Sequence, residues 1–174
     1  MHKKISVIGA GSWGTALALL LAENRVQVRL WAHNPSLAGE LVAHRTNEAY
    51  LPGVRLPPNV YATGNLADTL DAELALIVTP SKAVREVATK LASFGPDSRM
   101  ALVSCTKGIE HDSGKLMSEI LGECLPGNPI AVLSGPNHAV EVAQRIPAAG
   151  VIGSMHRELL DSLQKTFSLP TFRA

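Results

Sequence analysis

Apolar residues recur along this chain in two periods, and segments of one period alternate with segments of the other. Ile5-Ser6-Val7-Ile8 is a short apolar run of the kind a buried strand carries, and a glycine-rich turn separates it from a helical run over 15–22. Residues 26–31 read as a second strand. A helix is expected from Ser36 to about Arg45, with Asn34-Pro35 at its start. Residues 46–59, with Pro52, Gly53, Pro57 and Pro58, form a loop that leads to a minor strand over 60–63. Leu74-Ala75-Leu76-Ile77-Val78 has no polar break, as expected of a strand covered on both faces. It stops at Thr79-Pro80-Ser81, where Ser81 is placed to cap a helix bearing Val84, Val87, Leu91 and Phe94. A strand over 100–104 follows, then a helix from Ser113 with Leu116, Ile120 and Cys124 on one face. Pro126-Gly127-Asn128-Pro129 breaks the chain before a strand over 130–133. Pro136 suits the first position of a short helix to about Arg145. A strand over 150–152 and a helix marked by Leu159, Leu160, Leu163 and Phe167 complete the pattern.

This alternation predicts an α/β fold of Rossmann-like, doubly wound type, with a mostly parallel sheet and helices on both faces. The 174 residues suffice for one domain, expected over 1–174. With 46% hydrophobic but only 4% aromatic residues, the core must be aliphatic and alanine-rich. Residues 170–174 look like the start of a further extended segment, so the chain is expected to be the front part of a longer protein. A net charge of +1 without a basic run argues against nucleic acid as a partner. Cys105 and Cys124 lack a CxxC spacing and read as reduced thiols of a cytoplasmic protein. Lys3-Lys4 ahead of an apolar stretch imitates a secretory leader, but the strand–turn–helix pattern accounts for the interrupting glycines. No segment is long and apolar enough to cross a membrane, and no membrane partner is expected.

The candidate chemistry lies at the expected carboxyl ends of the strands, where an open parallel sheet holds its ligand. Gly9-Ala10-Gly11-Ser12-Trp13-Gly14 has the spacing of a pyrophosphate-binding turn. Gly9 permits the tight exit from the strand, Gly11 lets a phosphate approach the backbone, and Gly14 lets the helix pack closely. The N–H groups at the helix start, near Ser12 and Trp13, then face the anion. His33-Asn34 ends the second strand where an acidic residue would select NAD. His33 can instead contact a ribose or its 2′-phosphate, so NADP as well as NAD is expected to bind. Pro80 both stops a strand and is placed to line the groove. Lys107 stands at the cleft rim, suited to a substrate phosphate or to charge developing on a carbonyl oxygen. Ser134-Gly135-Pro136-Asn137-His138-Ala139 opens a second helix at the cleft, with His138 a candidate acid–base group. Cys105 has no partner base, and no His/Asp/Glu group has metal-ligand spacing, so no metal is expected.

In order and spacing, GAGSWGTAL over 9–17, NEAYLP over 47–52, KGIE over 107–110 and SGPNHAVEVA over 134–143 resemble the N-terminal half of bacterial NAD(P)-dependent glycerol-3-phosphate dehydrogenases. The resemblance implies reversible reduction of dihydroxyacetone phosphate to sn-glycerol 3-phosphate, a precursor in phospholipid synthesis. It implies cofactor contact by Ser12, Trp13, His33, Tyr50 and Ala139, contact with cofactor and substrate by Lys107, and substrate contact by Gly135 and Asn137. Where Asn137 stands the family usually has a hydroxyl residue, and where His138 stands Phe is common. The family's proton donor lies in a following helical domain, so no catalytic acid or base is expected within this chain. It should bind dinucleotide with little or no turnover, and the full-length protein could form a homodimer. Another two-domain dehydrogenase, or a non-catalytic redox-sensing module, are the alternatives left open by the residues themselves.

Overall fold

The computed structural model describes residues 2–174. The chain runs through β1 (Lys4–Ile8), α1 (Ser12–Glu23), β2 (Gln27–Trp31), α2 (Pro35–Ala43), β3 (Val60–Thr63), a 3-10 turn (Leu66–Leu70) and β4 (Leu74–Ile77). A second 3-10 turn (Ser81–Ala83) leads into α3 (Val84–Ser93), β5 (Ala101–Ser104), α4 (Met117–Cys124), β6 (Ile130–Ser134) and α5 (Ala139–Ala143). Then come β7 (Ala148–Ala149), β8 (Val151–Ser154), α6 (Arg157–Phe167) and β9 (Phe172–Arg173).

The main sheet has the order β3-β2-β1-β4-β5-β6-β8. Its pairs are parallel except β6 with β8, which is antiparallel. Val7 of β1 sits opposite Leu30 of β2 and Leu76 of β4, so the register keeps apolar rows together. Alternate residues feed two cores, one on each face of the sheet. Val7, Leu74, Leu76 and Val103 pack with Leu17 and Leu21 of α1 and Phe167 of α6. Ile8, Ala75, Ile77 and Leu102 pack with Val84 and Leu91 of α3 and Ile120 of α4. Burial on both faces explains why the inner strands are continuous apolar runs. The polar exception in the buried part of β1, Ser6, is fully buried and donates its hydroxyl to the Thr69 carbonyl at 2.7 Å.

The strand order reverses at β1, with β2 on one side and β4 on the other. A crevice opens at such a switch point, outside the carboxyl ends of the two strands.

Three local expectations need correction. The helix expected from Ser113 begins at Met117, because residues 109–116 are held in a separate pinned turn. Ile109 bridges Leu116, Gly114 adopts φ +68°, and the Glu119 carboxylate accepts from the Leu116 N–H at 2.7 Å to start the helix there. The helix expected from Pro136 begins only at Ala139, after a bend in which Gly135 adopts φ +148°. Ser81 caps nothing with its side chain; it opens the 3-10 turn, and Ala83 is the residue before α3. At the end of the chain, the extended segment forms β9 and pairs in parallel with β7.

Candidate functional site

The glycine turn is built by packing at two positions and left open at the third. Gly9 has φ +122°, and a Cβ there would lie 2.6 Å from the Val78 carbonyl oxygen. A Cβ on Gly14 would lie 1.8 Å from the Gly9 carbonyl oxygen, so α1 rests directly on the turn. Gly11 differs: a Cβ there would meet nothing within 4 Å, and the residue lies on the wall of a cleft. Gly11 is the residue before α1, no side chain caps that helix, and its first turn holds no acidic residue. Its leading N–H groups and the positive end of its dipole are thus left for an anion.

The cleft has a volume of about 860 Å³, within the range of small-molecule sites. It lies at the switch point, between the ends of β1, β2, β4 and β5. Gly9, Gly11, Ser12, Trp13, Gly14, His33, Tyr50, Pro80, Lys107, Asn137 and Ala139 all line it. Gly135 alone of the predicted residues does not, yet its carbonyl accepts a hydrogen bond from Lys107 Nζ at 2.6 Å. A side chain at Gly135 would collide with Asn137 Nδ2, at 2.9 Å, and the φ of +148° also favours glycine. Lys107 is therefore oriented by a carbonyl just behind the lining, and an ammonium with three donors retains two.

At the β2 end, His33 is exposed and meets the Trp31 ring edge-on, with centroids 5.7 Å apart. Asn34 is already committed, its Oδ1 accepting from the Ser36 N–H at 2.8 Å and the Leu37 N–H at 3.3 Å to cap α2. Tyr50 reaches the rim from the 46–59 loop and is 53% exposed. His138 also lines the cleft. Cys105 lines it but is buried, and burial pushes its thiol well above the ordinary cysteine range, as befits a packed residue.

Several residues of this region carry no local sequence signal. Thr106 donates its hydroxyl to the Thr79 carbonyl at 2.7 Å, tying the β5 end to the β4 end. Arg85 of α3 makes a bidentate pair with Glu110, with both N···O distances 2.7 Å, and so clamps the loop that carries Lys107. The same guanidinium meets Glu123 of α4 at 2.9 Å. The Arg85 guanidinium and the Ser113 hydroxyl hold the Glu110 carboxyl down at about 2. Lys82 and Glu86 also line the cleft, so with Lys107 the fixed charge of its lining is positive. No group of three or more His, Cys, Asp or Glu side chains suited to a metal occurs among the described residues.

Residues 4–160 match the family described as NAD-dependent glycerol-3-phosphate dehydrogenase N-terminus. A glycerol-3-phosphate dehydrogenase [NAD(P)+] of Erythrobacter litoralis is 40% identical over 173 residues, which are 99% of this chain and 51% of that protein. Among solved structures, the glycerol-3-phosphate dehydrogenase of Coxiella burnetii superposes with a TM-score of 0.93 at 35% identity, covering 98% of this chain and 52% of that one. The Plasmodium falciparum glycerol-3-phosphate dehydrogenase does so with a TM-score of 0.89 at 28% identity, covering 98% and 51%. The chain thus spans about half the length of the curated relatives it matches.

Proposed function

Since this chain belongs to the NAD-dependent glycerol-3-phosphate dehydrogenase N-terminal family, we propose that its cleft binds NAD(H) and NADP(H) as the cofactor half of an oxidoreductase. The reaction is the interconversion of dihydroxyacetone phosphate and sn-glycerol 3-phosphate, feeding phospholipid synthesis in the cytoplasm. Residues 1–174 act as one cofactor-binding domain. The observation that carries this reading is the uncapped start of α1 beside an open Gly11, on the wall of a cleft with positive fixed charge.

The residues fit a dinucleotide. A Cβ on Gly11 would take up the space that a pyrophosphate needs, whereas glycine leaves it clear. The Gly11, Ser12 and Trp13 N–H groups bind the pyrophosphate, and His33 the adenosine ribose or its 2′-phosphate. With no carboxylate at 33 or 34, nothing there repels the 2′-phosphate of NADP. Tyr50, Pro80 and Ala139 complete the cofactor wall. When bound, the nicotinamide supplies or accepts the hydride. Lys107, oriented by the Gly135 carbonyl, directs its remaining donors at the substrate's oxygens. Asn137 adds an amide beside it and takes the place of the hydroxyl expected there. The relatives are about twice as long as this chain; in this reading the remaining substrate contacts and the proton donor lie outside these residues. The full-length protein acts as a homodimer. No helix among the described residues is long and apolar enough to cross a membrane.

Titration with NADH and with NADPH, read by the fluorescence of Trp13 in the glycine turn, tests the cofactor assignment. Saturable binding of both with comparable affinity is expected, and no binding of either overturns it. Dihydroxyacetone phosphate should provoke little or no oxidation of NADPH by this chain alone. Turnover at the rate of a full-length enzyme would overturn the placement of the proton donor outside it.

A further inference from the structure

One buried polar side chain of the 47–52 segment is hydrogen-bonded to the glycine turn. Asn47 is 1% exposed. Its Nδ2 donates to the Ala10 carbonyl at 2.9 Å and to Thr15 Oγ1 at 2.8 Å, and its Oδ1 accepts from the Tyr50 N–H at 3.3 Å. Both amide hydrogens are therefore used, one on the glycine turn and one on the first turns of α1. The backbone of Asn47 is itself pinned by the Leu51 N–H, which donates to its carbonyl at 2.8 Å.

The Ala10 carbonyl belongs to the peptide unit whose other end is the Gly11 N–H. In a planar trans peptide these two groups point in opposite directions. With the carbonyl turned inward onto Asn47, the Gly11 N–H is aimed outward, on the residue that lines the cleft. That N–H has no hydrogen-bond acceptor among the described residues. Gly11 has no side chain to resist rotation of this peptide, so an external anchor must set its direction. Turning the peptide over would strip the Ala10 carbonyl of its Asn47 partner in a buried setting, which a polar group resists.

We infer that Asn47 is a positioning residue for the cleft: its buried amide aims the Gly11 N–H at the ligand's pyrophosphate and holds the Tyr50 loop to the same peptide. This rests on the cofactor reading proposed above. The residue type is specific. Asp has the same size and shape but would face the Ala10 carbonyl with an oxygen in place of a donor. Ala would leave that carbonyl and Thr15 without the amide.

The test compares the wild-type chain with Asn47→Ala and with the isosteric Asn47→Asp, after far-UV circular dichroism has established that each folds. Two probes are titrated: NADH, and adenosine, which carries no pyrophosphate and is followed by amide chemical shifts. Both variants should bind NADH about tenfold more weakly, the loss expected for about one misaligned hydrogen bond, while adenosine affinity stays at the wild-type value. Asn47→Asp preserves volume and serves if the alanine variant does not fold. Unchanged NADH binding in the folded variants overturns the positioning role alone. An equal fall for both probes also overturns it, because it marks a general loss of structure rather than a misaimed donor. If the wild-type chain itself fails to bind NADH, the cofactor reading and the positioning role fall together.

Discussion

Adding one methyl group at Gly14 and one at Gly11 should have opposite consequences, although both are glycine-to-alanine changes in the same turn. At Gly14 the new Cβ would stand 1.8 Å from the Gly9 carbonyl oxygen, and that oxygen is backbone, with no rotamer to escape into. Restoring ordinary contact requires the start of α1 to retreat by roughly 1.5 Å from a turn that the Val78 backbone, just past β4, also crowds. Forcing an extra carbon into close-packed structure costs about 1–3 kcal/mol. The intrinsic helical advantage of alanine over glycine offsets only about 1 kcal/mol. A contact as close as 1.8 Å to backbone takes the upper end of that range, so the net effect is destabilising by about 2 kcal/mol, and for a chain of this size that lowers Tm by about 5 °C. At Gly11 the Cβ meets no protein atom within 4 Å, and φ −70° with ψ −176° is extended backbone that alanine adopts freely. Gly11→Ala should therefore hold Tm to within about 1 °C, because the smaller conformational entropy of the unfolded chain balances a poorer helix cap. Its methyl group would project from the cleft wall where the pyrophosphate is proposed to lie, so NADH affinity should fall by at least about tenfold. Thermal unfolding and fluorescence titration on both variants measure the two effects separately. A Gly14→Ala protein as stable as wild type would refute the packing argument. A Gly11→Ala protein that binds NADH normally would refute the open-cradle argument.

Three further outcomes follow from the site. His33→Asp should leave NADH binding close to wild type and weaken NADPH binding about tenfold or more, since a carboxylate would repel a 2′-phosphate; equal loss for both cofactors would remove His33 from that end of the ligand. Arg85→Ala should free the loop bearing Lys107 and speed amide exchange over residues 107–116, whereas exchange as slow as in wild type would show that Glu110 does not anchor it. Acid should destabilise the fold: Glu110, held at about 2 against an ordinary 4.5, contributes fully above 4.5 and loses its contribution as pH falls toward 2. His2, whose imidazole burial holds below the ordinary 6.5, acts in the same direction, because the unfolded chain takes up its proton first as pH falls. A Tm that rises between pH 7 and pH 4 would contradict both signs.

The elements that the chain's pattern made legible are those whose cause is local. A run such as Leu74–Ile77 needs no knowledge of its neighbours to read as a doubly covered strand, and β3 over Val60–Thr63 falls where the pattern places it. Helix starts were harder, because they depend on which turn wins. The pattern opens a helix at Ser113, but the Glu110 carbonyl takes the Gly114 N–H at 2.9 Å and the chain turns back on itself before Met117. The cleft residues at strand ends were legible for a similar reason: the glycine spacing and the switch-point rule give position without any knowledge of side-chain contacts.

What escaped is the polar framework behind those residues, and it escaped for one physical reason. Asn47 and Thr15 are separated by 32 positions, Arg85 and Glu110 by 25, and Lys107 and Gly135 by 28. Each pair depends on the path of an irregular loop, and hydrogen bonds of this kind have no period to detect. They are nonetheless what converts an ordinary parallel sheet with a crevice into a shaped site. The glycines leave room for a ligand, but a flexible turn with room is not yet a binding surface. The Asn47 amide orients the turn's peptide, the Gly135 carbonyl orients the Lys107 ammonium, and the Arg85–Glu110 pair fixes the loop on which that lysine stands. Positioning by distant polar pairs also explains why Gly135, which does not itself line the cleft, matters to it: it acts through a carbonyl, and its lack of a side chain keeps that carbonyl and Asn137 in register.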